Sequence, residues 1–444
     1  MQQSVNNSIK ALLILIVTLG LRIELYSQSA ELIISDLQNI HTNIRNDSCG
    51  NQQLISNRAM NLFLSDKIGT YLTEYKNLSF YKNNITFNAR SGEFSLSHSL
   101  FQANGIDNAV KSFNTIGVKA NITNAIAKAF TDKTFGNELG MTVNRTWIGK
   151  TNTTVNNCAE KNIMDAQRES LLQLLELEIK KRENEFTLAI AALQHGKIPD
   201  SSFSKIKQTL QQDFYEQLRE EFSRKFATLQ YLDLSRSMRY KKITTHWTSL
   251  SIYLPIVLKR FVVAKYLSAS TQNKKAYSFE LGVSHTRFWE TKKSGRIFLK
   301  LETNLSLNNA AESKSLDKMN LDKYIHAGGS DSLLLSRHAI NTIYVGNYQA
   351  FLTPAIKFGL VYFPPNSHIG VSSTLEQNIG KYSALNWTLG IPVVLINTLG
   401  APAANFEFQI VYFDLAHSVY PNRTLKENIS VNLTVGIPFS KIIY

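Results

Sequence analysis

The sequence predicts an all-β transmembrane barrel of about twelve antiparallel strands, with an inserted α-helical hairpin and a helical N-terminal segment. Long segments in both halves of the chain alternate apolar and polar residues, with the period of two that a β-strand imposes. Two long stretches of helical periodicity interrupt this alternation. An apolar run near the N-terminus has the form of a secretory signal peptide. These three observations favour an exported barrel, and a soluble secreted sandwich is the alternative fold.

The N-terminal segment 1–28 is the predicted signal peptide. Lys10 supplies the positive charge that precedes its apolar core, Ala11–Leu21. That core is too short for a membrane-spanning helix, which needs about 20 residues. Small and polar residues follow at Ser27–Ala30 and suit cleavage there.

Charge and composition argue against nucleic-acid binding. The chain has 444 residues, 18% of them charged, and a formal net charge of +14. The positive charge is spread along the chain, and no nucleic-acid motif occurs. A basic barrel beside anionic lipid or polysaccharide explains the charge more simply. The length is sufficient for a barrel and an accessory domain.

Two regions show the apolar spacing of helices. Segment 29–80 is predicted to be a helical periplasmic segment, and segment 160–235 a hairpin of two long antiparallel helices. Pro199 and Asp200 lie between the two stripes of the hairpin and mark the end of one helix and the start of the next. We expect both regions to join in one small periplasmic bundle.

The clearest β-pattern is the hairpin Tyr277–Asn308, which is broken by Lys292–Gly295. Each arm is roughly ten to fifteen residues long, which suits a tilted membrane strand of about nine to eleven residues. Four strands are predicted in segment 84–148 if 84–101 is split into two. Eight more are predicted in segment 243–444, at 243–255, 276–289, 296–308, 351–363, 368–377, 383–395, 405–413 and 428–439.

The number and spacing of these strands predict a topology. Bacterial single-chain barrels have an even strand number, short periplasmic turns and longer outer loops. This rule is met if the chain enters the barrel from the periplasmic side at residue 240, because the connections 256–275, 309–350 and 414–427 then lie on the outer side of the membrane. The helical hairpin and both cysteines then lie on the periplasmic side.

With these strands, the signal peptide and the closing strand Ile429–Phe439, the chain resembles the outer-membrane β-barrel proteins of Gram-negative bacteria. The resemblance covers about 84–148 and 243–444. Gly-Ile-Pro recurs in Leu389–Pro392 and Val435–Pro438, a style similar to barrels of Bacteroidota, and no functional subfamily is identified. The resemblance implies a location in the outer membrane, with lipid around the barrel.

Charged residues at the polar positions of the alternating strands are predicted to face the lumen. They are Lys119, Glu138, Glu280, Lys300, Glu302, Lys357, Glu376 and Glu407. Such residues can lock the wall through ion pairs, which is the structural interpretation, or set the selectivity of a narrow channel. Lys300 and Glu302 share one face of a strand, so they can pair with each other without a ligand.

Other side-chain chemistry is sparse. Cys49 and Cys158 form a possible disulfide in an exported chain, with two free thiols as the alternative. His246 and Ser249 have opposite parity, and no His-x-Ser triplet places both residues on one face of a strand. No zinc-binding spacing and no cofactor motif are found. We therefore expect no enzyme, metal or cofactor.

The function that these observations favour is a passive channel or transport component, whose helices at 160–235 contact a periplasmic protein partner. The alternative is a plugged barrel that acts as an anchor and displays the loop Ala310–Gln349. A hydrolase on the barrel wall is the third hypothesis. The sequence indicates neither a substrate nor an oligomeric state.

Overall fold

The computed structural model describes 29–45, 54–69, 84–88, 93–100, 107, 109–121, 139–155, 158–194, 200–237, 239–266, 270–311, 313, 316–323, 339–381, 383–396, 402–419 and 424–438. The predicted signal peptide 1–28 lies outside these residues. The helices of the described residues are α1 (Ala30–Arg45), α2 (Asn57–Gly69), α3 (Cys158–Gln194) and α4 (Asp200–Ser237), with a 3-10 turn at Leu425–Asn428. In the part of the chain that the structure describes, no helix combines the length and the apolar character needed to cross a membrane.

The strands of the described residues follow in chain order. They are β1 (Asn84–Asn88), β2 (Glu93–Leu100), β3 (Ser112–Asn121), β4 (Leu139–Ile148), β5 (Asn152–Thr154), β6 (Lys242–Val257), β7 (Lys259–Ala264), β8 (Gln272–Ala276), β9 (Glu280–Thr291), β10 (Gly295–Asn309), β11 (Asp317–Lys323), β12 (Ala339–Val345), β13 (Ala350–Phe363), β14 (Val371–Asn378), β15 (Leu385–Ile396), β16 (Pro402–Tyr412) and β17 (Ile429–Pro438).

Twelve of these strands close into an antiparallel barrel in the order β1, β2, β3, β4, β6, β9, β10, β13, β14, β15, β16 and β17. The seam is the pairing of β1 with β17, where Ile85 lies opposite Ile437. On the other side of the helical insertion, β4 pairs with β6. Closure pairs both neighbours of each of these twelve described strands, so the barrel wall has no open edge of the kind that lipid would not tolerate. The predicted fold class is confirmed, including the division of 84–101 into two strands.

Successive side chains of each barrel strand alternate between an apolar outer face and a mixed inner face. On β10, the outward Leu301 is 52% exposed, whereas the inward Lys300 is 3% exposed. Large exposed apolar residues recur on the outer face of the other strands, for example Leu96, Val118, Phe358, Leu375, Phe408 and Val431. An exposed apolar belt around a closed barrel is the surface that membrane lipid covers.

Two of the predicted outer connections contain a second sheet. Its order is β11-β12-β7-β8, and β12 pairs with β7 in parallel. Phe261, Val263 and Ala276 pack there against Ala310 and Leu316. The prediction of a strand at 276–289 is therefore wrong at its start, because Ala276 ends β8 and the barrel strand begins at Glu280. Apolar burial within the connection itself stabilises strands that its polar composition does not predict.

The chain divides into two compact units, and the described residues of the smaller one are 29–39, 171–194 and 200–223. In it α3 and α4 pack as a hairpin, with the rings of Phe186 and Phe214 stacked at 4.0 Å. Arg182 pairs with Glu221 at 3.0 Å. Glu183 accepts hydrogen bonds from the backbone N–H of Ala30 at 3.3 Å and from Tyr215 Oη at 2.8 Å, which ties α1 to the hairpin. The inserted helical hairpin is confirmed.

Leu301 tests whether the outer face meets lipid. The variant Leu301→Lys should lower the free energy of unfolding in lipid vesicles by about 2–4 kcal/mol, because it places a charge in the apolar belt. Equilibrium unfolding in urea, followed by tryptophan fluorescence, measures the change. Leu301→Ala is the control for lost side-chain volume and should cost less, and equal losses in the two variants would contradict a lipid-facing Leu301.

Candidate functional site

The lumen lies in the larger unit, which contains 40–170 and 224–444. Its inward residues separate into two layers along the barrel axis. We call the end that leads into α3 and from α4 the helix-side end, and the opposite end the loop-side end. The inward residues are mostly polar towards the loop-side end and apolar at the helix-side end.

A row of alternating charges crosses three strands in the polar layer. Lys300 and Glu302, on β10, pair at 2.5 Å. Glu302 lies directly opposite Lys357 of β13, and Lys357 pairs at 3.1 Å with Glu376 of β14, which is opposite it in register. Cross-strand neighbours of opposite charge stabilise a sheet. The row therefore supports the barrel wall as well as lining the lumen.

A second charged group joins β3, β6 and β9. Lys119 Nζ is 4.0 Å from Glu280 and 4.6 Å from the centre of the Tyr253 ring. That ring occupies the space beside Gly140, where a Cβ atom would come within 2.3 Å of it. The small residue on β4 therefore permits the aromatic side chain on β6 to lie along the inner wall.

Glu407 is also inward and is buried on β16. Ser372 donates a hydrogen bond to it across the lumen surface. A Cβ atom at Gly390 would lie 2.3 Å from the same carboxylate, so the glycine provides its space. Of the eight charges predicted to face the lumen, Lys300 and Glu407 are buried on barrel strands, five line the cavity described next, and Glu138 lies outside the described residues.

The polar layer surrounds a cavity of about 290 Å³. Its lining includes five of the predicted charges, Lys119, Glu280, Glu302, Lys357 and Glu376, together with Tyr253 and Asn304. The lining is mixed in charge, and hydroxyl and amide groups lie between the charged ones.

Several inward polar side chains need a hydrogen-bond partner that the described residues do not supply. Both polar side-chain atoms of Asn144 are buried without a hydrogen-bond partner among the described residues, and the same holds for Thr286 Oγ1 and Thr353 Oγ1. A buried polar group without a partner costs about 1–3 kcal/mol. Water is the partner that such groups find in proteins.

The helix-side end of the lumen is closed by an apolar seal, which consists of α2 and the inward apolar residues of the surrounding wall. On the helix these residues include Ala59, Met60, Phe63, Leu64 and Ile68. On the wall they include Phe113, Trp247, Phe288, Phe298, Val361, Phe363 and Val394, from β3, β6, β9, β10, β13 and β15. Phe63 is fully buried. The seal makes this end of the lumen mainly apolar.

Polar contacts fix both ends of α2. At its start, Ser56 Oγ accepts from the backbone N–H of Ala59 at 3.2 Å, the contact expected of an N-cap. Asp107, from the connection between β2 and β3, accepts from the backbone N–H of Arg58 at 3.0 Å. At the end of the helix, Lys67 pairs with the buried Glu290 of β9 at 3.1 Å.

The helix also contacts α4 within the same unit. Tyr231 Oη donates a hydrogen bond to Asp66. Gln230 Oε1 accepts from the backbone N–H of Ser56 at 2.8 Å. Helix α2 is therefore held between the barrel wall and the last turns of α4.

The sequence predicts that this helix joins a periplasmic bundle, whereas α2 packs against the inner wall of the barrel. The apolar stripe of the helix can be recognised in the sequence, but the barrel surface against which it packs cannot. One signal does exist: Phe288, Phe298, Trp247 and Phe363 lie on the polar parity of their strands, close to the helix-side ends. Apolar residues that break the alternation at one end of several strands indicate that something apolar fills that mouth.

The remaining candidates do not assemble into a catalytic or metal site. His246 faces outward, beside His285 with ring centres 5.6 Å apart, whereas Ser249 faces inward and is bonded to Thr146 at 2.9 Å. His285 Nδ1 is 3.0 Å from Thr248 Oγ1. Among the described residues, no group of three or more His, Cys, Asp and Glu side chains could hold a metal ion.

Cys158, the first residue of α3, is disulfide-bonded. Cys49 lies outside the described residues, so the pairing of Cys49 with Cys158 stays a prediction. A cross-link here would join the start of α3 to the segment between α1 and α2.

No family model and no curated protein matches this sequence. Among solved structures, the chain is similar to one described as "KdgM porin", at 6% sequence identity and a TM-score of 0.29. The likeness covers 81% of this chain and 99% of that chain. This TM-score is too low to assign a fold or a function. The barrel is therefore assigned from its strand pairing, and the candidate site from its geometry.

The contact of Asp107 with α2 predicts a pH dependence. Burial raises the pKa of Asp107 to about 6 from an ordinary value of 3.8, and the hydrogen bonds from Arg58 and Asn57 oppose the rise. Because the native pKa is raised, this group's contribution to stability is complete below the unfolded pKa and is lost as the pH rises through about 6. Wild type should therefore lose thermal stability relative to Asp107→Asn between about pH 4 and about pH 7.

Thermal unfolding of the detergent-solubilised protein, followed by circular dichroism, measures this difference. Asp317→Asn, at an exposed position on β11, is the control and should leave the pH dependence as in wild type. A constant difference between wild type and Asp107→Asn at all pH values would contradict the prediction.

Proposed function

We propose that this protein is an outer-membrane channel or transport component for small polar solutes, and that α2 closes its lumen at the periplasmic end in the state described. One observation carries the proposal. A charge-lined cavity of about 290 Å³ lies in the lumen, and one 13-residue helix with its apolar surroundings separates it from the helix-side end.

The charge row supports this function through its position. Glu302, Lys357 and Glu376 line the cavity, so a solute that crosses the barrel must pass them. Both signs are present, and the pairs within the row leave the lining with little net charge. Such a lining admits polar solutes of either sign and excludes apolar ones, because it offers hydrogen-bond partners in place of water.

The proposed transport requires that α2 leave the mouth. Its largest contribution to docking is apolar burial, at about 1.5–3 kcal/mol for each large side chain. Removal of the Phe63 side chain alone should cost about 3–5 kcal/mol of this docking energy. The closed state is therefore sensitive to single substitutions in the helix.

Planar-bilayer recordings test the proposal. Wild type should be mostly silent, whereas Phe63→Ala and Lys67→Met should show discrete conductance steps, because the first opens a cavity in the seal and the second leaves Glu290 buried without its lysine. Phe186→Ala removes the same side chain from the helical hairpin and should behave as wild type. Circular dichroism and heat-modifiable electrophoretic mobility show that each variant is folded.

A second substitution identifies the conducting path. Glu302→Gln in the Phe63→Ala background leaves Lys300 and Lys357 without that carboxylate, so the open channel should shift towards anions in a salt gradient. An unchanged reversal potential would mean that the current does not pass the charge row.

The alternative function is an anchor that displays a surface structure. The four-stranded sheet β11-β12-β7-β8 favours it, because this sheet is built from the loop-side connections and has its own apolar core. Folded Phe63→Ala and Lys67→Met variants that are both silent would overturn the channel and support the anchor.

We also propose that α3 and α4 contact a periplasmic protein. The support is a set of exposed leucines on α3, namely Leu174, Leu177 and Leu188, which are 64–71% exposed. Exposed apolar residues at helical spacing are typical of a surface that a partner covers.

A further inference from the structure

The loop-side sheet contains a strongly basic hairpin, formed by β7 and β8. The segment 258–279 contains five basic residues and no acidic residue; the basic ones are Lys259, Arg260, Lys265, Lys274 and Lys275. The acidic residues of the same sheet, Asp317 and Asp322, are on β11, which β12 separates from β7. The basic charge is therefore local and is not balanced within the hairpin.

Two of these cations lie directly opposite each other. Arg260 of β7 is paired in register with Lys275 of β8, and both side chains are exposed. Like charges at directly opposite positions destabilise an antiparallel pair. An anion between the two side chains would reverse that repulsion, and a guanidinium next to an ammonium is a favourable site for a phosphate group.

The orientation of the pair indicates where an anion would bind. Phe261 and Val263 turn one face of β7 towards the apolar core of the sheet, beside Ala310 and Leu316. Arg260 lies on the opposite face. Arg260 is an even number of residues after Leu254 and Ile256, which are exposed on the outer, lipid-facing side of β6.

The height of the pair above the apolar belt matches lipid headgroups. Only Val257, Leu258 and Lys259 separate Ile256 from Arg260, so the two Cα atoms are at most about 13 Å apart along an extended chain, and less along the axis of a tilted strand. The headgroup layer begins where the apolar core of the bilayer ends and is roughly 5–8 Å thick on each side. Tyr266 and Tyr277, both more than half exposed, flank β7 and β8 in the manner of interfacial aromatic residues.

We propose that Arg260 and Lys275 form a binding site for the phosphate groups of a phosphorylated glycolipid in the outer leaflet. The site holds the headgroup between two cations that continue the lipid-facing surface of β6. This inference rests on the outer-membrane location and on the predicted orientation of the loops, and it does not depend on whether the lumen conducts.

Native mass spectrometry of the full chain in detergent micelles tests the site. The probe is a diphosphorylated glycolipid of the lipid A type, compared with the same lipid after removal of its phosphates. Wild type should retain the phosphorylated lipid, and Arg260→Gln with Lys275→Gln should weaken retention about tenfold or more, the loss expected for a charge-assisted contact. The matched control is Lys292→Gln with Lys293→Gln, an exposed lysine pair in the turn at the helix-side end, which should retain the lipid as wild type does.

Three outcomes would overturn the proposal. Equal retention by wild type and by the Arg260/Lys275 double variant would remove these residues from the site. Equal retention of the dephosphorylated lipid would mean that phosphate is not recognised. Full displacement of the glycolipid by inorganic phosphate at millimolar concentration would show that a free anion, and not a lipid headgroup, is the ligand.

Discussion

The closed ladder of backbone hydrogen bonds is the constraint on which the rest of this structure depends. In lipid, every N–H and C=O group of the wall needs a partner, so the sheet must close, and it does so where β1 meets β17. Closure fixes which residues face inward, because the side-chain period is two. The charge row from Lys300 to Glu376 and the aromatic residues of the seal both follow from that register.

The lumen that results is polar over one part and apolar over the other. Each part has the partners that its chemistry requires. In the polar part these are ion pairs and the amide of Asn304 for Glu302 and its neighbours, and in the apolar part the stripe of α2 for Trp247, Phe288 and Phe298. The same helix is tied to the wall by Lys67 and to the connection after β2 by Asp107. The structure is therefore stable when closed, and the contacts that close it are concentrated in one short element.

Alternation predicts the barrel and the direction of charged residues such as Lys357, because each strand's pattern is local. The number of strands also depends on the rule of an even count, which divides 84–101 into two. The sequence does not predict that α2 enters the mouth, since that depends on seven or so wall residues that are far apart in the chain and meet only after closure. The sheet containing Phe261 and Leu316 was also not predicted. Its strands are short, and their pairing partners come from two different connections.

The central claim is that α2 divides the lumen. Labelling a lumen cysteine from each side of the membrane tests it most directly. Asn304→Cys places a thiol in the lining of the cavity, and the native Cys158 is disulfide-bonded and does not compete. If α2 divides the lumen, a membrane-impermeant maleimide should label this cysteine from the loop side of oriented proteoliposomes and not from the helix side. In the Phe63→Ala background it should label from both sides. Equal labelling from both sides with α2 intact would contradict the account.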